Sequence, residues 1–122
     1  LNPERKLWLD LKKSSPNIVW NRVENLAVPG LPDLLGYNKN QRFFTLELKV
    51  KQSKKVRFSP HQIAFHVLHP KNSFILVKAL APLHYKLFEG SRIESLVTSF
   101  VDTPSLAGGE SLAACVLSLE RL

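Results

Sequence analysis

In Arg42-Phe43-Phe44-Thr45-Leu46-Glu47-Leu48-Lys49-Val50, apolar and polar residues alternate from Phe44 onward. In an extended chain Phe44, Leu46, Leu48 and Val50 fall on one face, and Thr45, Glu47 and Lys49 on the other. That pattern predicts a strand with one face in a core and a Thr-Glu-Lys face free for other uses. Just upstream, Asn38-Lys39-Asn40-Gln41 is a polar hairpin connection, so Asp33 to Tyr37 becomes the antiparallel partner.

Working outward, Pro29-Gly30-Leu31-Pro32 is a turn, and the β-rich run Asn17 to Asn25 predicts another strand. Asn2-Pro3-Glu4 opens a helix with a cap, a first-turn proline and a first-turn acid. Leu7, Trp8 and Leu11 give it an apolar stripe, and Ser14-Ser15-Pro16 ends it. On the other side, Lys51 to Arg57 is a basic loop. Ser59-Pro60-His61-Gln62 has the form of a capping box for a helix reaching about His69, followed by a strand from Ser73 to Leu80.

Beyond Pro82 the pattern suggests an edge strand at His84 to Phe88 and a short helix at Arg92 to Phe100. Gly108-Gly109 is expected to break the chain before a last helix, whose stripe is Leu112, Cys115, Val116 and Leu119. The order is α-β-β-β-α-β plus a C-terminal helical tail. This is an α/β fold with a mixed central sheet flanked by helices. The 122 residues suit one domain, with a core at about 3–80 and an extension at about 82–122.

At 44% hydrophobic and 22% charged, the chain has the composition of a folded protein and not of a disordered one. Seventeen Lys plus Arg against ten Asp plus Glu leave a net charge of +7, which favours a polyanionic partner. Nucleic acid ranks before an anionic membrane surface. The single cysteine, Cys115, excludes an intrachain disulfide and lies in an apolar stretch as a buried thiol. A reducing, cytoplasmic compartment is expected. No run reaches the length of a membrane span, and the N-terminus lacks a signal-peptide pattern.

Glu47 and Lys49 are two apart on a strand, so their side chains leave one face roughly 6–7 Å apart. The hairpin brings Asp33 beside them. Two neighbouring carboxylates repel unless a cation neutralises them, and hard divalent ions take such oxygen ligands. Lys49 would then hold a phosphate or a water next to the ion.

Gly30-Leu31-Pro32-Asp33, then Glu47-Leu48-Lys49, then Ser59-Pro60-His61-Gln62 resembles the PD-(D/E)xK nuclease superfamily. It is most similar to the small VRR-Nuc and archaeal Holliday-junction-resolvase branches, over roughly Glu4 to Leu80. The resemblance implies a restriction-endonuclease-like αβββαβ core and a metal-dependent DNA endonuclease leaving 5′-phosphate and 3′-hydroxyl ends. It implies Asp33, Glu47 and the Leu48 backbone carbonyl as ligands of Mg²⁺ or Mn²⁺. Lys49 would be the catalytic lysine and Gln62 its helix-borne support. Gln62 also sits where a capping-box glutamine bonds back to the helix start. Glu4 would add an acid from the first helix, with Glu24 as a rival for that role and helix N-terminal stabilisation as its other reading.

Lys51, Lys54, Lys55 and Arg57, with His61 and Arg22, are the expected phosphate contacts. His66 and His69 are expected to be surface or packing residues, since their spacing does not suit zinc. With no room for a separate sequence-reading domain, recognition of branched, flap or duplex DNA by shape is expected. Symmetric cutting of a branch predicts a homodimer, with the last helix either at its interface or folded onto its own core. No small-molecule cofactor is expected. Two rival readings are a catalytically silent nucleic-acid-binding module, and a structural subunit using an exposed Leu112–Leu119 stripe.

Overall fold

Helix α1 (Pro3–Ser14) starts where the Asn2 side chain accepts the Arg5 N–H at 2.9 Å, and it buries Leu7, Trp8 and Leu11. The structure, a computed structural model, describes residues 2–23 and 28–122. Six strands follow in one sheet: β1 (Val19–Arg22), β2 (Leu34–Tyr37), β3 (Phe43–Lys51), β4 (Ser73–Ala79), β5 (His84–Glu89) and β6 (Ala107–Gly109). Their spatial order is the chain order. All neighbours are antiparallel except β3 and β4. That parallel pair needs a crossover, which α2 (Pro60–Leu68) provides. Two more helices, α3 (Ile93–Thr98) and α4 (Ala113–Glu120), complete a mixed α/β sheet protein.

The alternation of β3 sorts the core into two layers. Phe44, Leu46 and Leu48 pack with Leu7, Trp8 and Leu11 of α1 and with Cys115, Val116 and Leu119 of α4. Trp20, Gly36 and Phe44 are register partners across three strands. A side chain at Gly36 would collide with both rings, so glycine there lets Trp20 meet Phe44 edge-on at 5.5 Å. On the opposite face Ile75, Val77 and Ala79 of β4 pack with Val56, Ile93, Leu96 and Phe100, under the side of α2 and α3.

Four expectations need correction. Gly108 and Gly109 do not break the chain; they pair with Lys86 and Tyr85, so β6 is the edge and β5 lies inside the sheet. A two-glycine run looks like punctuation locally, and only its distant partner makes it a strand. The extension past residue 82 is therefore no tail, because β5 and β6 enlarge the sheet. The Leu112–Leu119 stripe is not exposed. Leu112 is 6% accessible and Leu119 fully covered, so α4 folds onto its own core and its stripe is unavailable to a partner. Finally, the first strand is confined to Val19–Arg22, and residues 24–27, including the rival acid Glu24, lie outside the described residues.

Candidate metal centre

β2 begins at Leu34, paired with Leu46, so β3 has no β2 partner from Glu47 onward. The side chain of Asp33 takes over that edge: its Oδ2 accepts the Leu48 N–H at 2.7 Å. Its backbone is held too, with the Asp33 carbonyl accepting Val23 N–H at 2.9 Å and Pro32 buried before it. In a strand the N–H and C=O of one residue face the same side. The Leu48 carbonyl therefore points toward the edge where the Asp33 carboxylate sits.

Glu47 is 2% exposed, so the Thr-Glu-Lys face of β3 is covered at its middle residue. Its Oε2 accepts from Gln62 Nε2 at 3.3 Å, while Oε1 is buried with no hydrogen-bond partner. Burial first, then the charge of Asp33 and the close contact of its carboxyl with that of Glu47, push the Glu47 carboxyl up to about 9, with Lys49 opposing. A buried, half-partnered acid beside a second acid is costly unless something positive joins it. Among the described residues no three His, Cys, Asp or Glu side chains form a ligand cluster on their own. A set of Asp33, Glu47 and the Leu48 carbonyl does supply hard oxygen donors of the kind Mg²⁺ and Mn²⁺ take, and the orphaned Oε1 fits such an ion.

Gln62 does both things the sequence left open. It closes the capping box, with its Oε1 accepting the Ser59 N–H at 3.0 Å and its own N–H donating to Ser59 Oγ at 3.2 Å. The same Oε1 accepts from Lys49 Nζ at 2.9 Å. Lys49 is half-buried, with its ammonium 4.9 Å from the centre of the Phe58 ring. Glu47, Lys49 and Gln62 are thus one hydrogen-bonded group, with Asp33 against it.

Glu4 is exposed, and two concavities meet at its side chain and at Asn2. A cleft of about 750 Å³ runs from Glu4 past Lys49 to Lys51, Lys55 and Arg57. A pocket of about 230 Å³ lies between Glu4, Arg5, Trp8, Arg22, Asp33 and Leu48. Desolvation raises the Glu4 carboxyl, and it feels both Lys49 and Asp33. Lys54 lies farther along the loop, and His61 is exposed at the start of α2. Sequence reasoning missed Asn2 and Arg5 as wall residues and Phe58 beneath Lys49; Asn2 was legible only as a cap.

It also missed how deeply one histidine is buried. His66 is wholly covered, with Nδ1 2.7 Å from Ser73 Oγ and Nε2 unpartnered. His69 is exposed and stacks on Phe65 at 4.1 Å. Burial, helped by the charges of His69 and Lys49, pulls His66 from 6.5 down to about 4. The unfolded chain therefore takes up a proton first as pH falls through 6.5. Stability should decline from pH 6.5 to about 4, by at most about 3 kcal/mol from this group. Urea midpoints measured across that range should show the decline, and His66→Gln should flatten it.

Fold and site together define an α/β protein whose central strand carries an acid and a lysine beside a second acid. No family model matches the chain, and no curated protein or solved structure matches it either.

Proposed function

We propose that this protein is a divalent-metal-dependent DNA endonuclease of the PD-(D/E)xK type, with a restriction-endonuclease-like core. The observation that carries the reading is the buried Glu47 with its unpartnered Oε1, set against Asp33 and bonded through Gln62 to Lys49. The succession of three antiparallel strands, a crossover helix and a parallel fourth strand supports it as well. Asp33, Glu47, the Leu48 carbonyl and Glu4 would hold Mg²⁺ or Mn²⁺. When bound, the ion supplies Lewis-acid polarisation of a phosphodiester and lowers the pKa of an attacking water.

The remaining work falls to the protein itself. Gln62 fixes the Lys49 ammonium at 2.9 Å, so it meets the charge developing on the phosphate without first having to be oriented. Lys51, Lys55 and Arg57 along the cleft, with Lys54 and Arg22 in the neighbouring hollows, would neutralise flanking phosphates, and His61 would be a further contact. A substrate read by shape, such as branched, flap or duplex DNA, and a homodimer working in the cytoplasm complete the proposal. No small-molecule cofactor enters it.

The test is cleavage of labelled four-way junction, flap, single-stranded and linear duplex DNA with Mg²⁺, Mn²⁺ or EDTA. Cleavage should appear with either ion and vanish with EDTA. DNA bound tightly but left intact under every condition would instead mark a silent binding module. An inert protein that binds no DNA would sink the reading.

A further inference from the structure

Across the sheet from the acid pair, two lysines and a histidine gather around one ring. Lys51 Nζ lies 4.8 Å and Lys86 Nζ 4.9 Å from the centre of the Phe100 ring. The His84 ring centre is 5.8 Å away, and His84 Nδ1 donates to the Pro82 carbonyl at 2.9 Å, which fixes the imidazole. We propose that Lys51, His84 and Lys86, gathered around Phe100, form a second nucleic-acid backbone contact that grips phosphates outside the cutting centre. This rests on the reading that nucleic acid occupies the cleft.

Sheet register explains the cluster. Lys49, Val77 and Lys86 form one row across β3, β4 and β5, and Lys51, Ala79 and His84 form the next. All of these side chains therefore leave the same face. With strands about 4.8 Å apart, Lys86 stands roughly 10 Å across the sheet from Lys49. Between them Val77 and Ala79 are small and buried, and Phe100 is 3% exposed beneath the amines.

Charge and continuity select the occupant. Two ammonium groups near one ring are no more than about 10 Å apart and repel each other, a cost that a bound polyanion relieves. The aromatic floor holds the lysine heads in place, so less freedom is lost when they meet a phosphate. Lys51 belongs to this cluster and also lines the 750 Å³ cleft. A groove of about 700 Å³ along Ser53 to Phe58 and Val97 continues the basic surface on the side of α3, the helix that precedes Phe100. Lys51 thus joins the cleft beside Lys49 to the cluster around Phe100 that includes Lys86.

The experiment measures binding in EDTA, without cleavage, using the full chain. The probes are a short duplex that fills only the cleft and the same duplex extended at either end. The wild type should gain affinity from one extension. Lys86→Gln should lose that gain and lower the salt slope by about 0.9, the value of one phosphate contact. Lys86→Arg should keep both, and matching melting curves confirm that the variants are folded. If Lys86→Gln binds the extended duplex like the wild type with an unchanged slope, the second contact is overturned while the nuclease reading stands. If length-dependent binding is present but no metal supports cleavage, the nuclease reading fails and the second contact survives. Absence of any duplex binding overturns the contact outright.

Discussion

Glu47→Gln is expected to lower metal-dependent cleavage by at least about 1,000-fold, yet leave the protein no less stable than the native chain. The two effects have one cause. Glu47 is buried against Asp33 with one oxygen unpartnered, an arrangement that favours a cation and penalises the protein without one. Gln keeps the size and still presents an oxygen to Gln62, but it removes the crowded negative charge. A gain of about 1 kcal/mol in metal-free buffer is reasonable for relieving such a site. Single-turnover cleavage and melting curves in EDTA measure the two arms. A variant that cuts DNA as fast as the native chain would remove Glu47 from the mechanism. A large fall in melting temperature would mean that the carboxylate is part of the scaffold instead.

The second large effect is expected at Gly30, whose φ is +86°. Alanine there costs about 1–2 kcal/mol for the left-handed backbone alone. Its methyl would also collide with the backbone of His61, lying 2.5 Å from the carbonyl carbon and 2.7 Å from Cβ. Backbone cannot swing aside as a flexible side chain can, so about 1–3 kcal/mol of overpacking is added. Gly30→Ala should thus lose roughly 3 kcal/mol and on the order of 10 °C in melting temperature. Cleavage should fall further than unfolding explains, because the collision separates the Asp33 loop from the first turn of α2, where Gln62 sits. Gly109→Ala is the control. The added carbon there meets nothing closer than 3.9 Å, and the change should be close to neutral.

Most of what positions the acids was legible because it is local. The alternation of β3, the polar hairpin and the helix-opening Ser59-Pro60 each lie within a short window, and each specifies its own geometry. Once β2 and β3 are joined by a tight connection, the placement of Asp33 near Glu47 follows from register. Burial was not legible. Whether Glu47 faces water or protein depends on how α2 lies over the sheet, which a strand pattern does not encode. The same holds for His66, whose cover comes from the other layers around α2. β6 was missed for a related reason: Ala107-Gly108-Gly109 has no strand propensity of its own and exists only against β5. The Lys51, His84 and Lys86 cluster needed three-dimensional register across β3 to β5, with Phe100 brought in from beyond α3.

Gln62 spends a single amide on two tasks, starting a helix and bracing an amine against an acid. Genetic drift at this position is therefore constrained twice over. A substitution that suits the helix boundary would still have to satisfy Lys49 and Glu47, and one that satisfies them would still have to start the helix. Residue 62 would be held by the helix start even where the Lys49–Glu47 pair had no chemical task, so a glutamine there is by itself poor testimony of catalysis.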